Sequence, residues 1–543
     1  MKRRSFLKAL PLGVAATAVP FVLGSRRAEA FTHSPILNAL ANSNTPDDRA
    51  LVVIYLEGGN DGLNTLVPFE DPLYDRYRKN LGFTTPEEKA RLTFKPRPDL
   101  GINPYANALQ PLWDEGKIAM VQGIGIENPD LSHFRGLEIW NSSSDADLII
   151  PTGWLGRYLD TLYPDYPNSL PEDPVAINMG TFASQVFRGV NAMMDVQVPD
   201  PLTFGAAANM GTQPVPATWG GRELDYVRSL VNIANVYSAR FKNLFPAKTV
   251  SKVQYPSSQF ATDLQHIAWC INAGLKTKIY FASLQGWDTH FFQYSKDDSP
   301  GNGHAYLLRT LTEGLAAFQR DLEAMGNADR VVTMTYSEFG RRVDENGDWA
   351  SGTDHGTAAP HFVIGTNVNG ELYGNHPDLS KLDKNGDQYN QFEFRQMFAA
   401  VLGDWLGVDE SLRTFILSPG RSHAPWDITF PVNGSGVRQH LIDPSKSQQS
   451  SSVAPTLLAK SLRLSPNPAM RETAISFVAD GSSSDVWIEL FDERGRSLRR
   501  EQRSVGAGEA RCTIDVSALA NGTYYVQLRY GSQSESAKLV VAR

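Results

Sequence analysis

Short apolar runs that end at glycine or polar residues constrain this chain more than any other feature of its sequence. ALVVIYLEGG (50–59) is almost continuously apolar, as expected of a parallel strand buried on both faces. KIAMVQGIG (117–125), KTKIYFASL (276–284) and RVVTMTY (330–336) have the same character, and HFVIG (361–365) adds a fifth run. Together these runs predict the strands of one mainly parallel sheet.

A helical pattern lies between the third and fourth runs, in HAYLLRTLTEGLAAFQRDLEAMG (304–326). Its apolar residues fall at spacings of three and four, which predicts an amphipathic crossover helix. They are Leu308, Leu311, Leu315, Phe318 and Leu322. The fold class predicted for residues 31–442 is therefore α/β, a mainly parallel sheet flanked by helices. GGNDG after the first run departs from the nucleotide-binding pattern G-x-G-x-x-G.

The first thirty residues have the character of an export signal. MKRRSFLKAL contains Arg3 and Arg4, an apolar run follows, and Ala28 and Ala30 form a cleavage signature. This predicts a twin-arginine (Tat) signal peptide over 1–30 and delivery by the Tat translocase to the periplasm, with a Sec signal as the alternative. No later run approaches the length of about 18 apolar residues, so no transmembrane segment is predicted.

The last hundred residues change character. DPSKSQQSSSVAPT (443–456) is rich in Ser and Gln, which predicts a linker over 443–461. TAISFVA, DVWIELFD, RCTIDVS and TYYVQLRY are β-rich or alternating and are separated by turn residues. They predict a small all-β sandwich over 462–543. A carbohydrate-binding sandwich is the alternative interpretation of this segment.

Charge and cysteine content exclude two classes of protein. The formal net charge of the 543 residues is -8, which argues against a nucleic-acid partner because such a partner requires a basic face. Only Cys270 and Cys512 are present, which excludes a disulfide framework and a cysteine-rich zinc site.

Polar residues with catalytic or metal-binding chemistry follow four of the apolar runs. Ligands bind beyond the carboxyl ends of strands in α/β sheets, so these residues are expected to share a site. In chain order they are Glu57, Asp61, Ser132, His133, Asp288, His290, Glu338, Arg341, Asp354 and His355. Asp and His together suit zinc or manganese, and two such ions could clamp the oxygens of an ester displacement.

Each of these residues also has an ordinary structural interpretation. GTDHG (352–356) can be a polar turn, and Ser132 can simply cap the helix that starts with SHF. Asp61 can belong to a tight turn, and Glu338 and Arg341 can form an ion pair. LDKNGDQ (382–388) is similar to a calcium loop, but its glycine is misplaced for an EF-hand, so we interpret it as a turn.

The motifs LVVIYLEGGNDGLNTLVP, LSHF, GWDTH, TYSEFGRR and GTDHGTAAPHFVIG resemble the DUF1501 family, which looks like a branch of the alkaline phosphatase/sulfatase superfamily. The resemblance implies Ser132 as nucleophile and a divalent metal centre, with one or two ions. The implied ligands are Asp61, Asp288, His290, Asp354 and His355, and the further candidates are Glu57, His133, Glu338, Arg341 and His361. For the last ligand, His361, His376 and His423 compete.

The function implied is hydrolysis of a phosphate or sulfate ester whose identity the sequence does not reveal. A non-catalytic surface protein that keeps the fold for binding or scaffolding is the alternative. LSPNPAMRETAISF, ELFDERGRSL, LANGTYYVQL and KLVVAR resemble the type A sorting domain of the type IX secretion system. This implies a Bacteroidetes-type bacterium, the type IX machinery as partner, and passage across the outer membrane to the cell surface or medium.

Overall fold

The computed structural model describes most of the chain from residue 48 onward. The described ranges are 48–180, 184–205, 214–216, 218–245, 251–296, 303–347, 351–419, 423–446, 462–479, 485–492, 497–504, 508–530 and 533–542. The predicted signal peptide, with Arg3 and Arg4, and the predicted linker from residue 447 onward lie outside these ranges. We call residues 48–446 the α/β region and residues 462–542 the C-terminal β region.

The strands of the α/β region are short, and several have only two or three residues. They are β1 (Ala50–Glu57), β2 (Leu66–Val67), β3 (Gly101–Ile102), β4 (Ile118–Gly125), β5 (Ala176–Asn178), β6 (Asp195–Gln197), β7 (Ile279–Gln285), β8 (Val331–Tyr336), β9 (Gly340–Arg341), β10 (His355–Gly356), β11 (Ala358–Ile364), β12 (Leu372–Tyr373), β13 (Phe392–Glu393), β14 (Thr429–Pro431) and β15 (Arg438–His440).

Helices lie between the strands. They are α1 (Gly62–Thr65), α2 (Pro72–Tyr77), α3 (Pro86–Lys89), α4 (Gln110–Asp114), α5 (His133–Ser142), α6 (Trp154–Leu162), α7 (Trp219–Leu244), α8 (Gln259–Asn272), α9 (His304–Ala324), α10 (Phe394–Ala400) and α11 (Glu410–Leu417). Short 3-10 segments occur at Pro104–Leu109, Gln185–Phe187 and Ala328–Arg330, and a π segment at Val401–Trp405.

The main sheet has nine strands in the order β12-β4-β11-β8-β1-β7-β5-β6, with β13 also paired to β4. β1 runs parallel to both β7 and β8, and only β11 runs antiparallel to its neighbours among the strands of this sheet that the structure describes. The predicted fold class, a mainly parallel sheet flanked by helices, is therefore confirmed. The fifth apolar run is longer than predicted and starts at Ala358.

The predicted crossover helix is α9. The side chains of its apolar stripe, from Leu308 to Leu322, are buried in the main hydrophobic core. β1 is buried over its whole length except at Glu57, as its apolar composition predicted. These two elements fix the sheet between helical layers.

The parallel arrangement brings the carboxyl ends of four strands to one edge of the sheet. β1 is parallel to β7 and β8, and β4 shares the direction of β8 because both are antiparallel to β11. The loops that follow β1, β4, β7 and β8 therefore leave the sheet on the same side. These loops carry the polar residues that the sequence singled out.

The C-terminal β region consists of two antiparallel sheets, of order β16-β17-β20 and β19-β18-β21-β22. Its strands are β16 (Arg463–Ser465), β17 (Glu472–Ala479), β18 (Asp485–Asp492), β19 (Ser497–Ser504), β20 (Gly508–Asp515), β21 (Gly522–Tyr530) and β22 (Gln533–Val541). Ile475 and Ile514 of the first sheet share one core with Val486, Val526 and Leu539 of the second. The predicted all-β fold is confirmed.

Sequence patterns missed β19, whose sequence SLRREQRS is strongly charged. The strand lies at the edge of its sheet, where charged side chains are common because they discourage pairing with other chains. Among the residues that the structure describes, every helix is too short or too polar to cross a membrane.

Candidate metal centre

Three side chains from three different loops converge beyond the carboxyl edge of the sheet. His133 begins α5 after β4, Asp288 follows β7, and His355 lies in β10. One potential ligand atom from each lies within 4.8 Å of the others. The Asp288 carboxylate is 3.4 Å from His133 Nε2 through Oδ2 and 3.2 Å from His355 Nε2 through Oδ1.

His290 joins this cluster from the same loop as Asp288. Its Nε2 lies 3.1 Å from Asp288 Oδ1 and 2.9 Å from His355 Nε2. Its Nδ1 lies 2.8 Å from Asp354 Oδ1. Asp354 therefore contacts the cluster through His290, and Asn346 Nδ2 donates a second hydrogen bond to the same carboxylate oxygen.

The outward-facing nitrogens determine the tautomers of the three histidines. His133 Nδ1 lies 3.0 Å from Glu338 Oε1, and His355 Nδ1 lies 2.7 Å from the Leu131 carbonyl oxygen. Carboxylate and carbonyl oxygens only accept, so we assign the proton of each neutral ring to Nδ1, and likewise in His290. All three Nε2 atoms then present lone pairs toward Asp288. This pattern, with the second nitrogen held by an oxygen acceptor, is typical of metal-binding histidines.

The SEFGR segment after β8 positions each part of this cluster. Glu338, almost completely buried, accepts from His133 and from the Gly58 backbone nitrogen at 2.9 Å. The Phe339 ring stacks on His355 with centroids 4.3 Å apart. Arg341 Nη2 donates to Asp288 Oδ1 at 2.8 Å. One segment thus holds a histidine, stacks on a second and orients the carboxylate.

Arg341 is fully buried, so its guanidinium has no surface accessible to a substrate. Its guanidinium also donates to the carbonyl oxygens of Gly58, Gly59, Trp287 and Thr353. It therefore ties the loops after β1 and β7 to the segment before β10. The ion pair that the sequence offered as an alternative, between Arg341 and Glu338, is replaced by the pair with Asp288.

Glycine allows two of these loops to touch. A Cβ on Gly58, whose φ is +125°, would lie 2.2 Å from the Asp288 backbone nitrogen. A Cβ on Gly352 would lie 2.1 Å from the His290 carbonyl oxygen. No other residue permits this approach, so the glycines of GGNDG and GTDHG bring the ligand-bearing loops together.

The electrostatics of the cluster follow from its charges. The pKa of Asp288 lies well below its usual value, because His355 and Arg341 outweigh the opposing effect of partial burial. The hydrogen bond to Glu338 raises the pKa of His133, against the effect of burial, and Asp288 raises it further. Asp288 is the more exposed partner, with 47% of its side chain accessible, so the cluster opens to solvent.

Three expected residues lie apart from the cluster. Asp61 is buried, and Arg78 contacts both of its oxygens, at 2.5 and 3.0 Å. Gln293 Nε2 donates to the same carboxylate at 2.5 Å.

His361 is buried in β11 against Trp140, and burial lowers its pKa to about 3. Glu57 is half-buried at the end of β1, where burial and Glu338 raise its pKa.

The two remaining histidine candidates have other partners. His376 Nε2 lies 3.4 Å from Asp71, and His423 Nε2 lies 3.2 Å from Asp145. GTDHG also differs in detail from the loop that was expected, because His355 and Gly356 form a two-residue strand with Gly340 and Arg341. Asp354 and His355 nevertheless both contact His290, on its two different nitrogens.

Ser132 sits at the N-terminus of α5 between two residues of the cluster. Leu131, before it, has a positive φ of +55° and provides the carbonyl that holds His355. His133 follows it. The Ser132 side chain makes no capping hydrogen bond to the helix, although its position is that of the N-cap. Capping, the ordinary interpretation, therefore does not account for this hydroxyl.

Sequence reasoning missed Phe339, Arg78, Gln293 and the Leu131 carbonyl. Phe339 lies within SEFGR, between the candidate residues Glu338 and Arg341. Its position there is a signal from which stacking on a histidine such as His355 could have been predicted. The other three gave no signal, because they act through contacts between segments distant in sequence. Phe134 and Phe292, one and two residues beyond His133 and His290 in the chain, are strongly exposed.

Two stretches of the chain match known families. Residues 274–414 match the family described as "Protein of unknown function (DUF1501)". That stretch contains Asp288, His290 and His355 but not His133. Residues 463–542 match the "Secretion system C-terminal sorting domain", which supports export to the cell surface or extracellular space. None of the curated proteins matches this chain.

Solved structures give distant matches. A protein of the alkaline phosphatase superfamily from Vibrio parahaemolyticus is 9% identical, over 79% of this chain and 83% of that chain, with a TM-score of 0.32. The PsFucS1 sulfatase from Pseudoalteromonas sp. is 10% identical, over 88% and 86%, with a TM-score of 0.31. Dimeric latent PorU from Porphyromonas gingivalis is 18% identical, with a TM-score of 0.14, and the match covers 16% of this chain but only 9% of that one.

Proposed function

We propose that this protein is a secreted, metal-dependent hydrolase of phosphate or sulfate esters. One observation supports the metal centre above all. Three imidazole lone pairs face one carboxylate, and two of them belong to His290 Nε2 and His355 Nε2, which are only 2.9 Å apart. Such lone pairs repel unless a proton or a cation lies between them. A divalent ion held by His133, Asp288, His290 and His355 satisfies all of them at once.

The donor set favours zinc over manganese. Three imidazole nitrogens and one carboxylate oxygen are typical zinc ligands, whereas manganese prefers sites dominated by oxygen. The proposal is for one ion, because Asp61, the early ligand that the resemblance implied, is bound by Arg78 instead. Asp354 supports His290 from behind and is not itself in the proposed set.

A divalent ion bound there would act as a Lewis acid toward an oxygen of a phosphoryl or sulfuryl group. Ser132 is the proposed nucleophile, because it directly precedes His133 in the chain and its hydroxyl makes no capping hydrogen bond. The N-terminus of α5 favours a negatively charged group at that position. Arg341 and Glu338 act as positioning residues that orient Asp288 and His133.

The test is the metal content and activity of the purified mature protein. We expect about one zinc ion per chain, bound by four ligands as in known zinc sites. Asp288→Asn and His290→Ala should each lower metal content severalfold and abolish hydrolysis of aryl phosphates and aryl sulfates. His440→Ala is the matched control, since this half-exposed histidine is paired with Asp404 outside the cluster. Wild-type levels of metal in the first two variants would contradict the proposal.

Measuring metal binding and ester turnover together separates the proposed hydrolase from the alternative binding or scaffold protein. Metal bound at this centre without turnover of either ester would leave the binding or scaffold role. Turnover that persists after complete removal of metal would show that the cluster is not the catalytic centre. Zinc should also stabilise the wild type by mass action, by about 2.7 kcal/mol at a concentration 100 times the dissociation constant.

The proposed export route has two steps and involves four chain segments. The Tat signal at 1–30 moves the α/β domain (31–442) to the periplasm, and the sorting domain at 462–543, joined by the linker 443–461, directs it across the outer membrane of a Bacteroidetes-type bacterium. Replacing Arg3 and Arg4 by Lys should retain precursor in the cytoplasm, and deleting residues 463–543 should retain protein in the periplasm. Cell fractionation and immunoblotting would locate each variant. Normal delivery of both variants to the cell surface would exclude this route.

A further inference from the structure

The segment LDKNGDQ (382–388) lies between β12 and β13 and forms a closed turn, as its sequence predicted. Leu382 and Gln388 pair across its base. Asp383 Oδ1 accepts the backbone N–H groups of Asn385 and Asp387, at 2.7 and 2.9 Å. Gly386 has a φ of +84°, which permits the tight return of the chain.

The side chain of Asp387 is unusual within this turn. The residue is completely buried, and among the residues that the structure describes, neither of its carboxylate oxygens has a hydrogen-bond partner. Buried carboxylates are normally paired, hydrogen-bonded or bound to a metal. Burial and the neighbouring charge of Asp383 raise the pKa of Asp387 to about 6. The turn thus places an unsatisfied carboxylate close to a second one.

The nearest cationic side chain does not resolve this conflict. Arg342 acts on Asp387 through its charge, but no hydrogen bond joins the two, and Arg342 Nε is itself buried without a partner. The Arg342 backbone is fixed elsewhere, since its nitrogen donates to Asp354 and its carbonyl accepts from Arg78. Within the part of the chain that the structure describes, the Asp387 carboxylate therefore has no cation or donor bound to it, which leaves it open to a partner from outside the protein.

We propose that residues 383–387 bind a calcium ion through the carboxylates of Asp383 and Asp387 and the side-chain oxygen of Asn385. The donors are oxygens only, at alternate positions of one turn, which selects a hard cation. The two backbone N–H groups bind Oδ1 of Asp383, which leaves its Oδ2 outside the backbone hydrogen bonds of the turn. Asn385 is exposed at the rim, with its amide nitrogen 3.5 Å from that oxygen, so its amide group has to turn over to present the side-chain oxygen to the ion.

Calcium fits better than magnesium for two reasons. Magnesium demands near-ideal octahedral geometry and gives up its waters reluctantly, whereas calcium accepts irregular sets of carboxylate and carbonyl oxygens. A secreted protein also meets calcium at concentrations that suit weak extracellular sites, whose dissociation constants are about 0.1–1 mM. This site is separate from the proposed zinc centre and does not depend on the hydrolase activity.

The bound ion would brace the segment that carries His355. The Gln388 carbonyl accepts the Thr357 hydroxyl, and Gln388 Nε2 donates to the Ala358 carbonyl at 2.7 Å. These contacts join the turn directly to the chain just after β10. Calcium should therefore make the start of β11 more rigid. It would take no part in the chemistry of the proposed zinc centre.

The first test is a calcium titration by isothermal calorimetry of mature protein that has been treated with EGTA, freed of the chelator and then loaded with one equivalent of zinc. We expect one saturable site with a dissociation constant of about 0.1–1 mM. Asp387→Asn, which is nearly isosteric, should weaken binding at least tenfold. Asp378→Asn is the matched control, because this Asp lies in the neighbouring exposed turn and is paired with Lys381. Equal affinity in wild type and Asp387→Asn would overturn the proposal, as would no saturable binding by the wild type.

A second test leaves the ligands intact, in case Asp387→Asn fails to fold. Tyr389 is exposed two residues beyond Asp387 and is placed to sensitise the luminescence of terbium, a calcium substitute. In zinc-loaded wild type, sensitised emission should appear on adding terbium and be displaced by calcium. Tyr389→Phe should lower that emission severalfold while leaving the calcium affinity unchanged. Emission that is the same with and without Tyr389 would place the ion elsewhere and overturn the assignment.

Discussion

Asp61 and Asp288 follow neighbouring parallel strands at the same edge of the sheet, yet their surroundings differ completely. Asp61 is buried and contacts a single fixed cation, Arg78, through both of its oxygens. Asp288 is about half exposed and faces the lone pairs of three histidines. The first carboxylate already has its cation, and the second is arranged to receive one. Residue type and position in the chain do not separate these roles, whereas burial and partner do.

Removing the charge of Asp61 should have the largest effect on stability. Asp61→Asn leaves the buried Arg78 uncompensated, so we expect a loss of about 3–5 kcal/mol in the free energy of unfolding. Metal content per folded molecule should not change. Urea denaturation and elemental analysis of the same sample measure both quantities.

Asp288→Asn is the counterpart of that variant. In metal-free protein it should cost about 1.5–3 kcal/mol, because Asp288 is partly solvated and the hydrogen bond from Arg341 loses its charged acceptor, while Arg341 keeps its carbonyl acceptors. Its metal content should fall severalfold. If Asp61→Asn lost the metal and kept its stability, the roles assigned to the two carboxylates would be reversed.

Lowering the pH should reduce the difference in the free energy of unfolding between wild type and Asp61→Asn. The pKa of Asp61 lies below its usual value of 3.8, because Arg78 outweighs the opposing effect of burial. A lowered pKa means that the ion pair contributes fully above pH 3.8 and that its contribution disappears as pH falls through the folded-state pKa. The gap in unfolding free energy, measured on metal-free samples, should stay constant from neutral pH to about pH 5 and shrink below pH 4. A gap that widened with acidity would contradict the assigned pair.

Ser132→Ala should have the smallest effect on stability. A capping serine is worth about 0.5–2 kcal/mol, but Ser132 makes no capping bond, so we expect a loss below about 0.5 kcal/mol. Ester hydrolysis should nevertheless fall by about 100-fold or more, since this hydroxyl is the proposed nucleophile. Ser258→Ala is the control, because Ser258 does cap α8 through the Ala261 nitrogen at 3.1 Å and should lose about 1 kcal/mol without loss of activity.

A loss of stability in Ser132→Ala as large as that in Ser258→Ala would return Ser132 to a capping role. Unchanged hydrolysis in Ser132→Ala would remove it as nucleophile while leaving the metal centre untouched. The two measurements therefore test separate parts of the proposal.

Much of the fold was predictable because it depends on local patterns. The apolar runs that became β1, β4, β7 and β8 are buried on both faces over most of their length, so their composition alone identifies them. β19 was missed because it is an exposed edge strand whose charged sequence has neither an apolar run nor an apolar–polar alternation. For the candidate site, parallel strands bring their carboxyl ends together, so the neighbourhood of Asp288, His290 and His355 could be expected from strand direction.

By itself the sequence determined the α/β region, the C-terminal β region and the edge of the sheet where catalytic residue types collect, since these follow from periodicity and strand polarity. Only the tertiary structure decided which of those residues share a centre. It brought His133 to Asp288, bound Asp61 to Arg78, and buried the Asp387 carboxylate without a partner among the described residues. Burial and pairing depend on contacts between segments far apart in the chain, and such contacts leave no periodic trace in any one of them.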